Sequence, residues 1–394
     1  MAQAEVGARG HAAGTAAVNG VGETVGRTRL ATNRPVGPLA FAGVAVASFG
    51  GPLALAALAA PGLAADAAES SGRAMIAAAV VFIVPLAIWL RYSRHVPGAG
   101  GLYSFVEAAA GRRVALAEAA IWAFSYGLYI VYALALLIPV ALATVMVAGR
   151  AATLIVLGVM AAGQLVLAGI LDGVTLANIS TPASTFRAGA PAGELAKASA
   201  QTSLLYICGS LPLFLGGELA RPTRTIRRGV TGAFLVTAVV VVLAVAPLAA
   251  APGLLRTEIP GVSVVEQFAG VGLARAIGIG VAVSIAGVIL CEYLALTRLV
   301  HAVSGWRIRS VTIAIGAGIV VAAPFTLIDP DGLYDTLLKP SLVALWLSQL
   351  IVFAVYPLFA IKRRQRAWPA CTLSLIASAF AIYGLVTTLQ QASS

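Results

Sequence analysis

Residues 113–148 read RVALAEAAIWAFSYGLYIVYALALLIPVALATVMVA, and whether this run forms one helix or two sets the orientation of everything after it. A helix rises 1.5 Å per residue, so the run would extend roughly 54 Å, against a hydrocarbon core of about 30 Å. It is therefore either one steeply tilted helix or two helices joined tightly near 133–139.

The rest of the chain explains why a bilayer is the right frame. The 394 residues have a mean hydropathy of +0.95 and are 60% hydrophobic and 10% charged, with 41 glycines. That is too little polar material to cover a soluble globule of this size. Nine further apolar runs lie near 36–60, 74–91, 152–171, 200–219, 230–251, 273–300, 310–328, 340–361 and 368–388. The fold class is an all-α polytopic membrane protein of about eleven transmembrane helices, provided 113–148 divides.

Charge makes that division. With eleven spans and a cytoplasmic N-terminus, twenty of the 26 Lys and Arg residues fall on the inner side, as the positive-inside rule requires. A single long helix would reverse the later loops and turn RPTRTIRR (221–228) and IKRRQR (361–366) outward. Two helices are expected, in a multi-pass cell-membrane protein with its C-terminus outside and a very short third-to-fourth connection. The net charge of +11 belongs to this asymmetry, so membrane lipid is an expected partner and nucleic acid is not. Residues 1–33 are Gly- and Ala-rich without an apolar run and read as a disordered cytoplasmic tail ahead of a transmembrane domain over 34–390.

Two stretches carry a resemblance. SRHVPGAGGLYSFVEAAAG (93–111), after the second apolar run, and GGELARPTRTIRRG (216–229), ending the sixth, stand at matching places in the helix order. They resemble the loop after helix 2 and the end of helix 6 in the amino acid-polyamine-organocation (APC) superfamily of secondary transporters. The usual twelve spans are here eleven. The resemblance implies a five-plus-five inverted repeat with broken helices 1 and 6 around the substrate, and a permease moving amino acids or related amines and organic cations by alternating access. A non-transporting sensor or assembly partner on a degenerate scaffold is the alternative.

The residues point independently to the same place. Ser48-Phe49-Gly50-Gly51-Pro52 interrupts the first run and Cys208-Gly209-Ser210-Leu211-Pro212 the sixth, and paired Gly/Pro interruptions mark the midplane site of inverted-repeat transporters. Amides near Gly50 and Gly51 suit a carboxylate, and carbonyls near Cys208 to Ser210 suit an ammonium. Phe49, Tyr126 and Phe214 are candidate aromatic covers. Glu292 is the deepest ionisable residue, and an intramembrane carboxylate is a functional suspect by default. Glu118, near the start of the third run, is expected to snorkel inward.

With Ser284 opposite the first break and no lysine in the fifth run, coupling is expected to run through a proton on Glu292 or through exchange, with sodium the other candidate ion. In 93–107, Gly100, Gly101 and Tyr103 suggest a packed, moving inner element. Arg94 (or Arg91) is expected to pair with Glu218 as an inner gate, with Arg221 beside it. No HExxH, Walker loop or Gly-x-Ser-x-Gly occurs, so neither enzyme activity nor a cofactor or metal is expected.

Overall fold

The computed structural model describes residues 35–67, 71–133, 137–179, 191–324 and 334–390; the expected tail at 1–33 lies outside them. Among the described residues, and with shorter helices between them, eleven helices correspond in order to the expected spans. They are α1 (Pro38–Leu63), α2 (Ser71–His95), α3 (Arg112–Tyr132), α4 (Leu137–Val147), α5 (Arg150–Ala177), α6 (Ala192–Glu218), α7 (Pro222–Leu243), α8 (Val271–Ser304), α9 (Ile308–Ala322), α10 (Thr336–Lys362) and α11 (Ala367–Gln390). Among the described residues, nine are long and apolar enough to cross a membrane. The other two, α4 and α9, have 11 and 15 residues.

The run 113–148 does divide. α3 ends at Tyr132, where Ala133 N–H caps onto the Tyr129 carbonyl, and α4 begins at Leu137.

α5 shows how one helix serves two environments. Leu154, Leu157, Ala161, Gln164, Ala168 and Leu171 recur at three- and four-residue spacing and are buried, whereas Ile155, Val159 and Val166 are exposed. Both faces are apolar, as they must be when one packs on protein and the other on lipid. Gln164 is the polar residue at the centre of the inward stripe. Comparable apolar exposure at Leu39, Phe124, Leu235, Ile279 and Leu375 marks the lipid-facing belt.

An internal repeat is visible in backbone and sequence together. After α2 a short helix (Leu102–Ala110) ends at Gly111, and α3 starts there; after α7 a short helix (Pro260–Ala269) ends at Gly270, and α8 starts there. The two glycines share a backbone only glycine adopts easily, φ 91°, ψ 170° and φ 88°, ψ 167°. Each amide caps onto a glutamate carbonyl, Glu107 or Glu266. The segments align as Ser104-Phe-Val-Glu107 with Ser263-Val-Val-Glu266, at an offset of 159 positions that also sets Gly50 on Gly209. Five spans separate the two copies, an odd number, so they sit in opposite membrane orientations.

The first half of α1 packs between α5 and α7, α2 against α6 and α7, α8 against α5, and α3 against α10. α11 packs mainly on α10 and also touches α2 and α6. Before α1, Val36 donates its N–H to the Glu218 carbonyl (2.9 Å), tying the start of α1 to the end of α6.

Candidate functional site

The interruption of α1 forms as its residues dictate. α1 is helical to Ser48, Gly50 and Gly51 take φ of 80° and 70°, and the helix restarts at Pro52, which has no N–H to satisfy. The restart passes at once into a π-helical turn, Leu55–Ala59. A side chain at 51 would strike the Ser284 hydroxyl of α8 and come within 3.3 Å of Gln164 Oε1 of α5. Ser284 receives the Ala54 amide (3.2 Å) and donates to Gln164 Oε1 (2.8 Å). The first turn of the restarted helix thus has one amide already engaged, which leaves less for a carboxylate than the sequence suggested. The Ser48 hydroxyl turns back to the Ala45 carbonyl (2.8 Å) and is buried.

The expected gap in α6 at Cys208–Pro212 takes another form. An α-helical segment, Ala192–Ser203, passes directly into a 3-10 helix, Leu204–Glu218, so the discontinuity begins ahead of Cys208 and is a change of helix type. Runs of 3-10 helix this long are uncommon because their hydrogen-bond geometry is poorer. Pro212, which lacks a donor and would crowd the carbonyl four residues back in an α-helix, sits inside this stretch.

The two interruptions meet. The Phe49 ring lies where a side chain at Gly209 would be, so glycine is required there by close approach. Ser210 bonds back to the Ile207 carbonyl (3.3 Å). From α3, Tyr126 stacks on Trp122 (centroids 4.2 Å apart), and Trp122 on Phe214 of α6 (4.6 Å). Tyr126 lies within electrostatic reach of Cys208, Ser210 and Glu292. Glu292 is fully buried, and neither of its carboxylate oxygens finds a hydrogen-bond partner among the described residues. Burying such a group alone is costly, which marks it as a functional suspect.

At the basic end the loop after α2 is packed. Val96 and Gly98 to Val106 are buried, with Gly100 fitted against Ser104 and Tyr103, and Gly101 (φ 52°) against the Phe214 ring. Tyr103 donates to Glu107 Oε1 (2.9 Å); burial and then this bond push its hydroxyl up to about 12, so it stays a neutral donor.

The pairing expected for Glu218 is corrected. Its carboxylate receives Arg298 Nε of α8 (2.9 Å) and Arg150 Nη1 of α5 (3.2 Å), whereas Arg91 bonds the Tyr356 hydroxyl (3.4 Å) and Arg94 and Arg221 are exposed. The reason is reach: Arg94 ends α2 on its solvent side, while Arg298 faces inward with 4% of its surface exposed. Glu118, expected to snorkel, is buried and receives the Ser348 hydroxyl of α10 (2.7 Å).

Sequence reasoning missed Gln164, Arg150, Arg298 and Trp122. A signal existed for two of them, since Gln164 is the lone side-chain amide of an apolar run and Arg298 lies within one.

Sequence comparison finds no matching family model and no matching curated protein. The fold, however, is shared with solved structures. One is a substrate-bound, outward-open Na+-coupled sialic acid symporter, at 11% identity and TM-score 0.60, with 95% of this chain and 95% of that chain covered. Another is Mhp1, a nucleobase-cation-symport-1 family transporter closed around bromovinylhydantoin, at 14% identity and TM-score 0.62, with 93% and 94% covered. The chain is similar in fold, over nearly its whole length, to these two transporters.

Proposed function

We propose that the protein is a secondary active transporter that moves a small amine or amino acid by alternating access, as an APC-like permease. One observation carries the substrate class: the buried Glu292 carboxylate, without a partner among the described residues, beside the 3-10 stretch of α6 and Tyr126. A carboxylate there suits an ammonium, and nearby helix-6 carbonyls add acceptors for its protons. To the same site we assign Ser48, Phe49, Gly50 and Gly51 of α1 and Cys208, Gly209, Ser210 and Phe214 of α6, since Phe49 and Gly209 meet there. The fold shared with transporters supports the transport reading.

Glu292 is also the group we assign to proton coupling, since it empties and refills as substrate comes and goes. A sodium ion between α1 and α8 is the weaker reading. The Ser284 hydroxyl already accepts from the Ala54 amide and donates to Gln164 Oε1, which leaves it one free lone pair for an ion. The basic end, with Arg150, Glu218, Arg298 and the buried loop, is assigned to the cytoplasmic side as the inner gate.

Uptake of a labelled panel of amino acids and amines into proteoliposomes tests the reading. Saturable flux of a cationic or amine-bearing solute is expected. Folded protein with no saturable flux for any member would favour a sensor or assembly partner on the same scaffold.

A further inference from the structure

At the basic end a cavity of about 510 Å³ lies away from the α1 and α6 interruptions, between the α4–α5 turn, the end of α8 and the start of α9. Three arginines line it, Arg150, Arg298 and Arg309, and no Asp or Glu does. One carboxylate, Glu218, touches two of these guanidiniums from the side, one oxygen to each. Arg298 is nine-tenths buried, its Nε on Glu218 and its Nη1 on Thr297 Oγ1 (3.1 Å), and Arg309 is exposed at the rim. Two of these guanidiniums share the Glu218 carboxylate and the third stands exposed at the rim, so the side chains lining this half-open space are net positive.

The backbone adds to the same field. α5, of 28 residues, begins at Arg150 and α9, of 15, begins at Ile308, so two helix N-termini open on this cavity. Their first-turn amides, such as those of Ala151, Arg309 and Ser310, precede the first intrahelical acceptors and carry the positive end of each helix dipole. Thr153 and Thr312 line the same wall, with their hydroxyls donating to the Gly149 and Ile308 carbonyls (3.1 and 2.9 Å).

We propose that this cavity is a binding site for a phosphate-bearing anion, the phosphate set among Arg150, Arg298 and Arg309 at the two helix starts. Arginine forks and helix N-termini both match phosphate oxygens. The volume exceeds what a bare phosphate fills, so the ligand is a phosphate ester with a small attached polar group. A free phosphate ester and the headgroup of an anionic lipid share this chemistry. Because Arg150 and Arg298 are the two partners of Glu218, the bound anion would hold α5, α8 and α9 together at this end.

The test uses the full chain in phosphatidylcholine nanodiscs and reads the thermal unfolding midpoint and ligand retention by native mass spectrometry. One arm titrates glycerol 3-phosphate; the other adds phosphatidic acid to the bilayer. A saturable stabilisation in either arm is expected and names the source. Arg309→Gln should weaken it roughly tenfold, the scale of one charged hydrogen bond. Arg309→Lys should keep part of it, and Arg366→Gln, at an exposed arginine that does not line the cavity, should leave it unchanged. No saturable effect of either probe, equal affinity in Arg309→Gln, or equal stabilisation by acetate would overturn the proposal.

Discussion

Gly101 and Phe214 are in direct register across the basic end: a Cβ at position 101 would lie 2.6 Å from the Phe214 ring. Gly101 also holds φ at 52°, where a side chain is strained by about 1–3 kcal/mol. Phe214 continues through Trp122 to Tyr126, so a column of rings joins the inner loop to the neighbourhood of Glu292. Gly101→Val should therefore insert and fold yet lose turnover by about tenfold or more, equivalent to about 1.4 kcal/mol or more on the barrier. Substrate binding should change much less. Equal loss in binding and turnover, measured by equilibrium binding beside proteoliposome flux, would contradict a gating role for the loop.

The Glu218–Arg298 pair is almost completely buried, with 1% and 4% of the two side chains exposed. Removing Arg298 takes away the buried partner of Glu218 and leaves it the longer contact to the partly exposed Arg150. Arg298→Met is expected to destabilise by about 3–5 kcal/mol, and adding Glu218→Leu to regain a large part of that. Thermal unfolding of the two single variants and the double variant completes the cycle. Additive losses would show that the pair does not act as a unit.

Glu292→Gln keeps the shape and removes the charge. Flux of an amine-bearing substrate should collapse, and whatever remains should no longer respond to a pH gradient, while wild-type flux needs no sodium. Flux that rises with sodium and ignores both pH and Glu292→Gln would move coupling to the Ser284–Gln164 contact.

Gly209→Ala puts a methyl group into the Phe49 ring. Overpacking of this kind costs about 1–3 kcal/mol, and here it falls on the meeting point of α1 and α6. Substrate affinity should fall further than thermal stability. An alanine variant with normal affinity would show that the Phe49–Gly209 contact is packing only.

The membrane orientation is open to direct test. A cysteine placed at Gln390, the end of α11, should react with an impermeant thiol reagent from outside the cell if the orientation expected from the charge asymmetry holds. Labelling only after permeabilisation would reverse the assignment.

The form of the α6 discontinuity emerged only in the structure, whereas the sequence alone determined the order of the apolar helices, the division of 113–148 and the interruption of α1. Each of these follows from local physics: apolar run length against bilayer thickness, proline without a donor, glycine at positive φ, arginines gathered at one end. Even the internal repeat is written locally, in Ser104–Gly111 and Ser263–Gly270 at an offset of 159, although it stands out only once Gly111 and Gly270 are seen to share a backbone conformation. Partnership was decided by the tertiary structure. Glu218 could have met any arginine at its end of the bundle; which one it met depended on the rotation of α5 and α8 about their own axes. Arg298 points inward and Arg94 outward although both sit near helix ends. The same rotation aims Gln164 at Ser284 and leaves Glu292 alone beside Tyr126. An apolar helix is nearly as apolar on its lipid face as on its buried face, so hydropathy leaves that rotation unspecified and close packing across the bundle fixes it.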